Sequence, residues 1–387
     1  MAHILHVTEC TKGGVPLFIR QVSEGLNGDF SFDILCPPSS ELSVQPPSGA
    51  RIHTVDMARQ PHPLRDLISA YAVRRVIRAA DYDAVHLHSS KAGIIGSLAK
   101  PWIEAPMIYT PHGLRSFAYP DKSPLKLIAR VVEKWICRAA GNVVAVSIEE
   151  ASEVVSSGIA PAEKVTVIEN GVDLDDMSAA ATISRRDIGV PEDAYLVGTV
   201  GRLQAQKDPL LFVQAASTIA DRIPRAHFVM VGDGPLESVV REKIAGEHLA
   251  DRFHLLGWRA DATDILKLFD VFVLTSKYEG MPFVLLEAAA AGLPLVSTNV
   301  AGAQSLIDDG FSGLLAAVGD SEVIGAHLST LHSDETLRLK LGKAARMRIA
   351  ESHGLERMLD SWSETYRSVI PRSAAVSAPD KAVVTSG

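Results

Sequence analysis

The chain has 387 residues, 47% of them hydrophobic and 22% charged, with a formal net charge of −8. This composition suits a globular protein with room for two cores, and the acidic balance excludes a general nucleic-acid binder. Three widely spaced cysteines, Cys10, Cys36 and Cys137, exclude a disulfide framework or a cysteine metal site and point to reduced thiols in a cytoplasm.

The opening Met1-Ala2-His3-Ile4-Leu5-His6-Val7 has no basic region and no long apolar core, so it does not read as a signal peptide. No apolar run reaches membrane-spanning length. Short β-rich runs at 3–7, 32–36, 84–88, 107–110 and 143–146 alternate with helical patterns. A second series follows at 195–200, 227–231, 253–256, 271–274, 295–297 and 313–316. Such alternation predicts α/β architecture, with parallel sheets covered on both faces. Two series of this length predict two doubly wound, Rossmann-like domains, residues 1–180 and 181–354, joined near 175–186. A last helix over 355–370, carrying Trp362 and Tyr366, is expected to pack back on the first domain. The polar, aperiodic tail 371–387 reads as disordered. In this arrangement ligands bind beyond the carboxyl ends of the strands, in the cleft between the domains.

Charge is unevenly spread. Residues 59–140 hold 13 Lys or Arg against 6 Asp or Glu, which points to an anionic partner for the first half.

Within that half, Thr11-Lys12-Gly13-Gly14 follows the first strand and precedes a helix. Gly13 and Gly14 permit close approach of a ligand or simply make a tight turn. The Asp-x-Asp of Asp81-Tyr82-Asp83 precedes a strand instead of ending one, so it is rejected as a metal motif. His86 and His88 suggest a metal pair, but no third ligand is apparent. Ser89 or Ser90 can cap the next helix, with Lys91 adding charge, either as an anion site or as a plain capped N-terminus. His112 and Gly113 end another strand, where His112 faces the cleft. From Lys122 to Arg138 a cation recurs every fourth residue, through Lys126, Arg130 and Lys134, with Leu125, Ile128, Val132, Trp135 and Ile136 between them. This basic amphipathic helix fits an anionic membrane surface or a packed helix with a solvated basic face. Ser147-Ile148-Glu149-Glu150 is a capping box without assigned chemistry.

In the second half, Gly201-Arg202-Leu203-Gln204-Ala205-Gln206-Lys207 ends a strand. Arg202 can fork onto diphosphate oxygens and Lys207 adds a point charge. Val231-Gly232-Asp233-Gly234-Pro235 is a turn at the next strand end, and Gly257-Trp258 ends a third. Glu279-Gly280-Met281-Pro282-Phe283-Val284-Leu285-Leu286-Glu287 puts two carboxylates around a helix start. Pro282 opens the helix and Gly292 closes it, with Glu279 beside its positive end and Glu287 about two turns in. The pair reads as a grip on sugar and ribose hydroxyls or as two ordinary surface carboxylates.

Together these residues, over roughly 1–370, resemble the retaining family-4 glycosyltransferases of the GT-B fold. The parts that carry the resemblance are Gly201-Arg202 with Lys207, Val231 to Pro235 and Glu279-x7-Glu287, supported by Val167 to Asp173. His88 to Gly93 with Pro111-His112-Gly113-Leu114 looks like members that build bacterial surface polysaccharides on lipid diphosphate carriers. Two departures are Ser305, where members often carry Glu, and Pro16, where a polar residue is commoner.

The resemblance implies an acceptor-binding first domain and a nucleotide-sugar-binding second domain. Arg202 and Lys207 would hold the donor diphosphate, Glu287 the ribose, and Glu279 with the backbone of Gly280, Met281, Pro282 and Phe283 the transferred sugar and phosphate. Gly13, Gly14, Gly232 and Gly257 would complete the donor pocket, and His112 would contact the sugar. Ser89, Ser90 and Lys91 would meet the acceptor. The implied activity is hexosyl transfer from a nucleotide-diphosphate sugar, UDP favoured, to a lipid-linked or soluble glycan, with no metal and no other cofactor. The expected location is the cytoplasm, peripheral at the inner membrane face. A sugar-nucleotide epimerase of the same fold and a non-catalytic sugar-nucleotide-binding protein are the alternatives. The Glu pair together with the cationic pair favours transfer.

Overall fold

The structure is a computed structural model, described for residues 1–57, 62–120 and 122–371. From residue 372 on, the tail expected to be disordered lies outside the described residues. Two all-parallel sheets form the molecule. The first contains β1 (Ala2–Thr8), β2 (Phe30–Cys36), β3 (Arg51–Thr54), β4 (Ala84–His88), β5 (Met107–Thr110), β6 (Gly141–Ala145) and β7 (Val165–Val167), in the order β3-β2-β1-β4-β5-β6-β7. The second contains β8 (Tyr195–Val200), β9 (Ala226–Val231), β10 (Phe253–Gly257), β11 (Val271–Leu274), β12 (Leu295–Thr298) and β13 (Leu314–Ala316), in the order β10-β9-β8-β11-β12-β13.

Each sheet reverses direction once, between β1 and β4 in the first and between β8 and β11 in the second. At such a switch the loops leaving neighbouring strands diverge and open a crevice. The central strands are buried on both faces, as apolar runs like Val271-Phe272-Val273-Leu274 require. Register is continuous, for example from His6↔His86 through His88↔Thr110, so the histidines of β1 and β4 stand side by side.

The chain crosses between the sheets twice, and the two crossings are tied together. Val172 donates its N–H to the His353 carbonyl at 2.9 Å, and Leu355 donates to the Val172 carbonyl at 3.0 Å. The final helix, Leu355–Val369, then lies on the first sheet. Trp362 and Tyr366 have no exposed surface. The Tyr366 hydroxyl pairs with His86 Nδ1 at 2.8 Å, and Arg367 meets Asp29 at 2.6 Å.

The basic helix is Pro124–Ala140, but its faces differ from the expectation. Lys126 is buried and Arg130 pairs with Glu153 at 2.7 Å, whereas Leu125, Leu127, Ile128, Val131 and Trp135 are exposed. A step of four residues drifts about 40° around a helix, so five cations at that spacing spread over several faces instead of one. No helix among the described residues is long and apolar enough to cross a membrane.

Candidate functional site

The expected site residues come from loops at the carboxyl ends of β1, β4 and β5 in one sheet and β8, β9, β10 and β11 in the other. Two helices begin at this cleft without a side-chain cap. Gly13, at φ 94°, is the N-cap of Gly14–Gly25, and Pro282 is the N-cap of Phe283–Ala290. Neither first turn holds an acidic residue. By contrast Ser123, Ser147, Asp320 and Asp334 accept N–H groups at their own helix starts. Uncapped N–H groups and the positive dipole end suit an anion. Pro16 falls in the first turn of its helix, where a missing N–H costs nothing.

The two helix starts touch. A Cβ on Gly14 would lie 3.1 Å from the Phe283 ring. Likewise a Cβ on Gly280 would lie 2.7 Å from the Gly113 nitrogen, so the backbones of the His112 loop and the Glu279 loop meet directly. Lys12, which the sequence reading left without a role, crosses the same cleft. Its ammonium lies 2.9 Å from Asp233 Oδ2 and 5.0 Å from the Trp258 ring centre.

Glu279 is buried. Its Oε1 accepts from Lys207 Nζ and from the Ser276 hydroxyl, both at 2.5 Å. Arg202 and Lys207 line one small pocket with Gly201 and Thr275. Glu287 sits about one turn into the helix, not two, since the helix starts at Phe283. It is half-buried and has no side-chain hydrogen bond among the described residues. Burial first, and Asp176 second, push it up to about 7. A carboxyl so held gains from a hydroxyl partner. Met281 is fixed by the Asn170 side chain, which donates to the Met281 carbonyl at 2.9 Å.

Gly232, at φ 133°, has no room for a side chain, because a Cβ would lie 2.0 Å from the Gly201 carbonyl. Its N–H donates to the Gly257 carbonyl at 2.7 Å. The glycines of three strand ends thus pack backbone against backbone.

On the first sheet, Ser89 adopts φ 76° and donates to Glu9 Oε2 at 2.5 Å. The helix begins at Ser89 with His88 as an N-cap that makes no side-chain cap bond, so neither serine caps it. Lys91 does not charge that N-terminus either; it is buried and paired with Asp66. Glu9, buried at the end of β1, had no signal in sequence because its partner is 80 residues away.

Ser147 caps its helix as expected, but Glu150 does not close the box, because its carboxylate bonds elsewhere. One carboxylate oxygen accepts the Gly113 N–H at 2.8 Å and the other accepts the Val146 N–H at 2.9 Å. It therefore clamps the His112 loop to the next strand end. Burial pushes it up to about 7 against these two bonds. Ser305 donates to Glu149 across the cleft, so the first sheet brings a carboxylate to the position where the second has a hydroxyl.

His6 supplies the third imidazole that sequence spacing hid. Its ring nitrogens gather with those of His86 and His88 within 4.8 Å. The nitrogens are already engaged: His6 Nδ1 with His88 Nε2, His86 with Tyr366 and Thr110, and His88 Nδ1 with His112. Only His6 Nε2 has no partner.

Comparison with known proteins matches residues 12–176 to Glycosyltransferase Family 4 and residues 181–348 to Glycosyl transferases group 1. The chain is 30% identical over 352 residues to the UDP-Gal:alpha-D-GlcNAc-diphosphoundecaprenol alpha-1,3-galactosyltransferase of Escherichia coli, covering 89% of this chain and 90% of that one. It is 30% identical to the D-inositol 3-phosphate glycosyltransferase of Kribbella flavida (strain DSM 17836 / JCM 10339 / NBRC 14399), covering 80% and 76%. Among solved structures, Anabaena Alr3699/HepE in complex with UDP and glucose superposes with TM-score 0.81 at 23% identity, covering 95% of this chain and all of that one. Sucrose-phosphate synthase from Thermosynechococcus elongatus superposes at 0.83 with 20% identity, covering 96% and 100%.

Proposed function

We propose, for a chain that belongs to the glycosyltransferases of family 4 and group 1 and has their GT-B fold, that the donor is a UDP-sugar and the acceptor a glycan on a lipid diphosphate. The observation that carries this reading is the meeting of two uncapped helix starts, Gly14 and Phe283, beside Arg202 and the Lys207–Glu279 pair. Cations and free N–H groups there suit a diphosphate. The Escherichia coli relative uses UDP-Gal and a diphosphoundecaprenol acceptor, which supports both choices.

Arg202 and Lys207 hold the diphosphate, with the Gly280–Phe283 backbone and the Gly13–Gly14 turn closing on it. Glu287 receives the ribose hydroxyls, and Glu279 orients the transferred sugar with His112. Gly232 and Gly257 keep the strand ends close enough for backbone to meet the nucleotide. Ser89 and Ser90, with Glu9, receive the acceptor, and Lys91 acts by holding Asp66 in place.

The transfer proceeds with retention and without a metal. The bond from the anomeric carbon to the β-phosphate oxygen breaks as the acceptor oxygen bonds to that carbon on the same face. The acceptor proton passes to the departing phosphate. Arg202, Lys207 and the helix N–H groups stabilise the charge that develops on it.

The enzyme works at an anionic membrane surface from the cytoplasmic side. The apolar outer face of Pro124–Ala140 has a counterpart on Pro63–Ala79, which exposes Leu64, Leu67, Ile68 and Tyr71. Both helices pack against Ser89–Ala99, and the exposed Lys122, Lys134, Arg138, Arg65 and Arg75 flank them. Apolar side chains ringed by cations match an anionic bilayer interface.

A thermal-shift panel of sugar nucleotides tests the donor, since a ligand bound only by the native state raises apparent stability. Stabilisation by a UDP-sugar, followed by its transfer to a membrane-extracted lipid diphosphate glycan, is the expected result. Stabilisation by no nucleotide sugar overturns the reading.

A further inference from the structure

Three imidazoles form a line from the core of the first sheet to the cleft. His6 Nδ1 lies 2.7 Å from His88 Nε2, and His88 Nδ1 lies 3.0 Å from His112 Nε2. His6 and His88 have no exposed surface, whereas His112 is half-buried on the cleft loop at φ 55°. His86 is not part of the line, because its nitrogens pair with Tyr366 at 2.8 Å and Thr110 at 2.9 Å.

Burial keeps these rings neutral. It lowers His6 and His112 to about 3 and His88 well below its ordinary value, with neighbouring imidazoles adding to the effect at His6 and His88. In a neutral imidazole one nitrogen donates and the other accepts. The line therefore has two self-consistent arrangements. In the first, His6 Nδ1–H donates to His88 Nε2 and His88 Nδ1–H donates to His112 Nε2, so His112 carries its proton on Nδ1. In the second, every bond is reversed and His112 carries its proton on Nε2.

The ends of the line decide between them. His112 is half-buried on the cleft loop, and its Nδ1 is the nitrogen that the line leaves free for solvent or ligand. His6 Nε2 is sealed and unpartnered. The first arrangement leaves a bare lone pair there, while the second leaves an N–H with nothing to donate to. Of a buried orphan donor and a buried orphan acceptor, the donor is the rarer.

We propose that His6 and His88 are positioning residues that hold His112 in its Nδ1–H tautomer, so that the cleft receives a hydrogen-bond donor from it. The use of that donor on the sugar rests on the functional reading above; the tautomer does not. A donor at this point suits a sugar hydroxyl oxygen and disfavours a cation.

The test uses the full chain labelled with ¹⁵N-histidine. Ring-nitrogen correlation spectra at neutral pH, with His112 assigned by its absence in His112→Asn, report its tautomer directly. The expected result is Nδ1–H in the native protein. His88→Asn, whose amide can still donate to His112 Nε2, retains it. His88→Phe, which cannot donate, loses it with about a tenfold lower kcat and little change in donor KM, the scale of one hydrogen bond. Nε2–H on His112 in the native protein overturns the proposal, and so does an Nδ1–H tautomer that survives in a folded His88→Phe. Should His88→Phe not fold, the native spectrum still decides. Normal turnover in His112→Asn, with Nδ1–H found on His112 in the native protein, overturns the contact with sugar alone, which separates the two failures.

Discussion

Lys207 Nζ and Glu279 Oε1 stand 2.5 Å apart, with Lys207 from the loop after β8 and Glu279 from the loop after β11. These are the two strands at which the second sheet reverses direction. The ion pair therefore spans the crevice that the topology opens, and each partner keeps the other's charge compensated until an anion arrives.

Lys207→Ala removes the proposed phosphate clamp and leaves Glu279 buried without its cation. Turnover should fall about 100- to 1,000-fold, the scale of losing one charge-stabilising donor. Stability should also drop, since a buried partner is left uncompensated. Steady-state kinetics beside thermal unfolding measure both. Near-normal turnover in Lys207→Ala removes the lysine from the mechanism.

Gly280→Ala tests the contact between domains. Its Cβ would meet the Gly113 nitrogen at 2.7 Å and the His112 carbonyl carbon at 3.0 Å, and backbone cannot swing aside as a side chain does. The cleft should open, with kcat/KM reduced about 100-fold by misplacement of the Glu279 and His112 loops. The melting temperature should fall as well, because one buried cluster runs from Phe18 and Ile108 in the first half to Leu196 and Phe272 in the second. Small-angle scattering should show a larger radius of gyration, and an unchanged radius with unchanged kinetics refutes the point.

Glu150→Gln bears on the His112 loop. Gln offers one carbonyl oxygen, so it can accept from Gly113 or from Val146 but not from both. It also removes a carboxyl that burial has raised to about 7. Raised from 4.5, that group binds its proton more tightly in the folded state, so the wild type loses stability as pH rises from about 4.5 to 7. Glu150→Gln should flatten this part of the stability profile while lowering kcat about tenfold, one hydrogen bond's worth. Urea unfolding at stepped pH and a parallel rate profile check it.

Acid should act in the opposite sense through the histidines. His6, lowered to about 3, binds its proton more readily when unfolded, so its contribution is present above about pH 6.5 and is lost as pH falls toward 3. His6→Phe should remove up to about 1.4 kcal/mol per pH unit of that slope. Stability curves for the two proteins that run parallel between pH 6.5 and 4 contradict this.

The proposed membrane face calls for different substitutions from those that the cation spacing suggested. Neutralising Lys126 or Arg130 would disturb a buried side chain and an internal ion pair. Ile128→Glu with Val131→Glu should abolish binding to anionic vesicles, and Lys134→Gln with Arg138→Gln should weaken it in a salt-dependent way. Vesicle co-sedimentation unchanged by both pairs removes this face from the argument.

Most strands could be read from sequence because a strand buried on both faces writes a continuous apolar run, as in β11 and β12. The two missed strands, Arg51–Thr54 and Val165–Val167, lie at the edges of the first sheet, are short, and carry polar or exposed residues. The strand ends that carry the expected site residues were legible for the same reason. What sequence could not give were partners brought together by register or by the cleft. His6 and His88 are 82 residues apart, Glu150 and Gly113 37, and Lys12 and Asp233 221. Nothing local in Glu150 distinguishes a carboxylate that caps its own helix from one that clamps a neighbouring loop.

The last helix has a consequence for how the chain is made. Trp362 and Tyr366 fill the core beside β1 and β4, and His86 of β4 leaves the ribosome 280 residues before Tyr366, with β1 earlier still. During synthesis the first sheet must wait with an apolar face unfilled while the second domain, contiguous from Tyr195 on, can close as it emerges. The half that begins first is completed last. A chain stopped before Leu355 would strand that half with an open core, so the division between the two sheets is not a place where the protein can be cut in two.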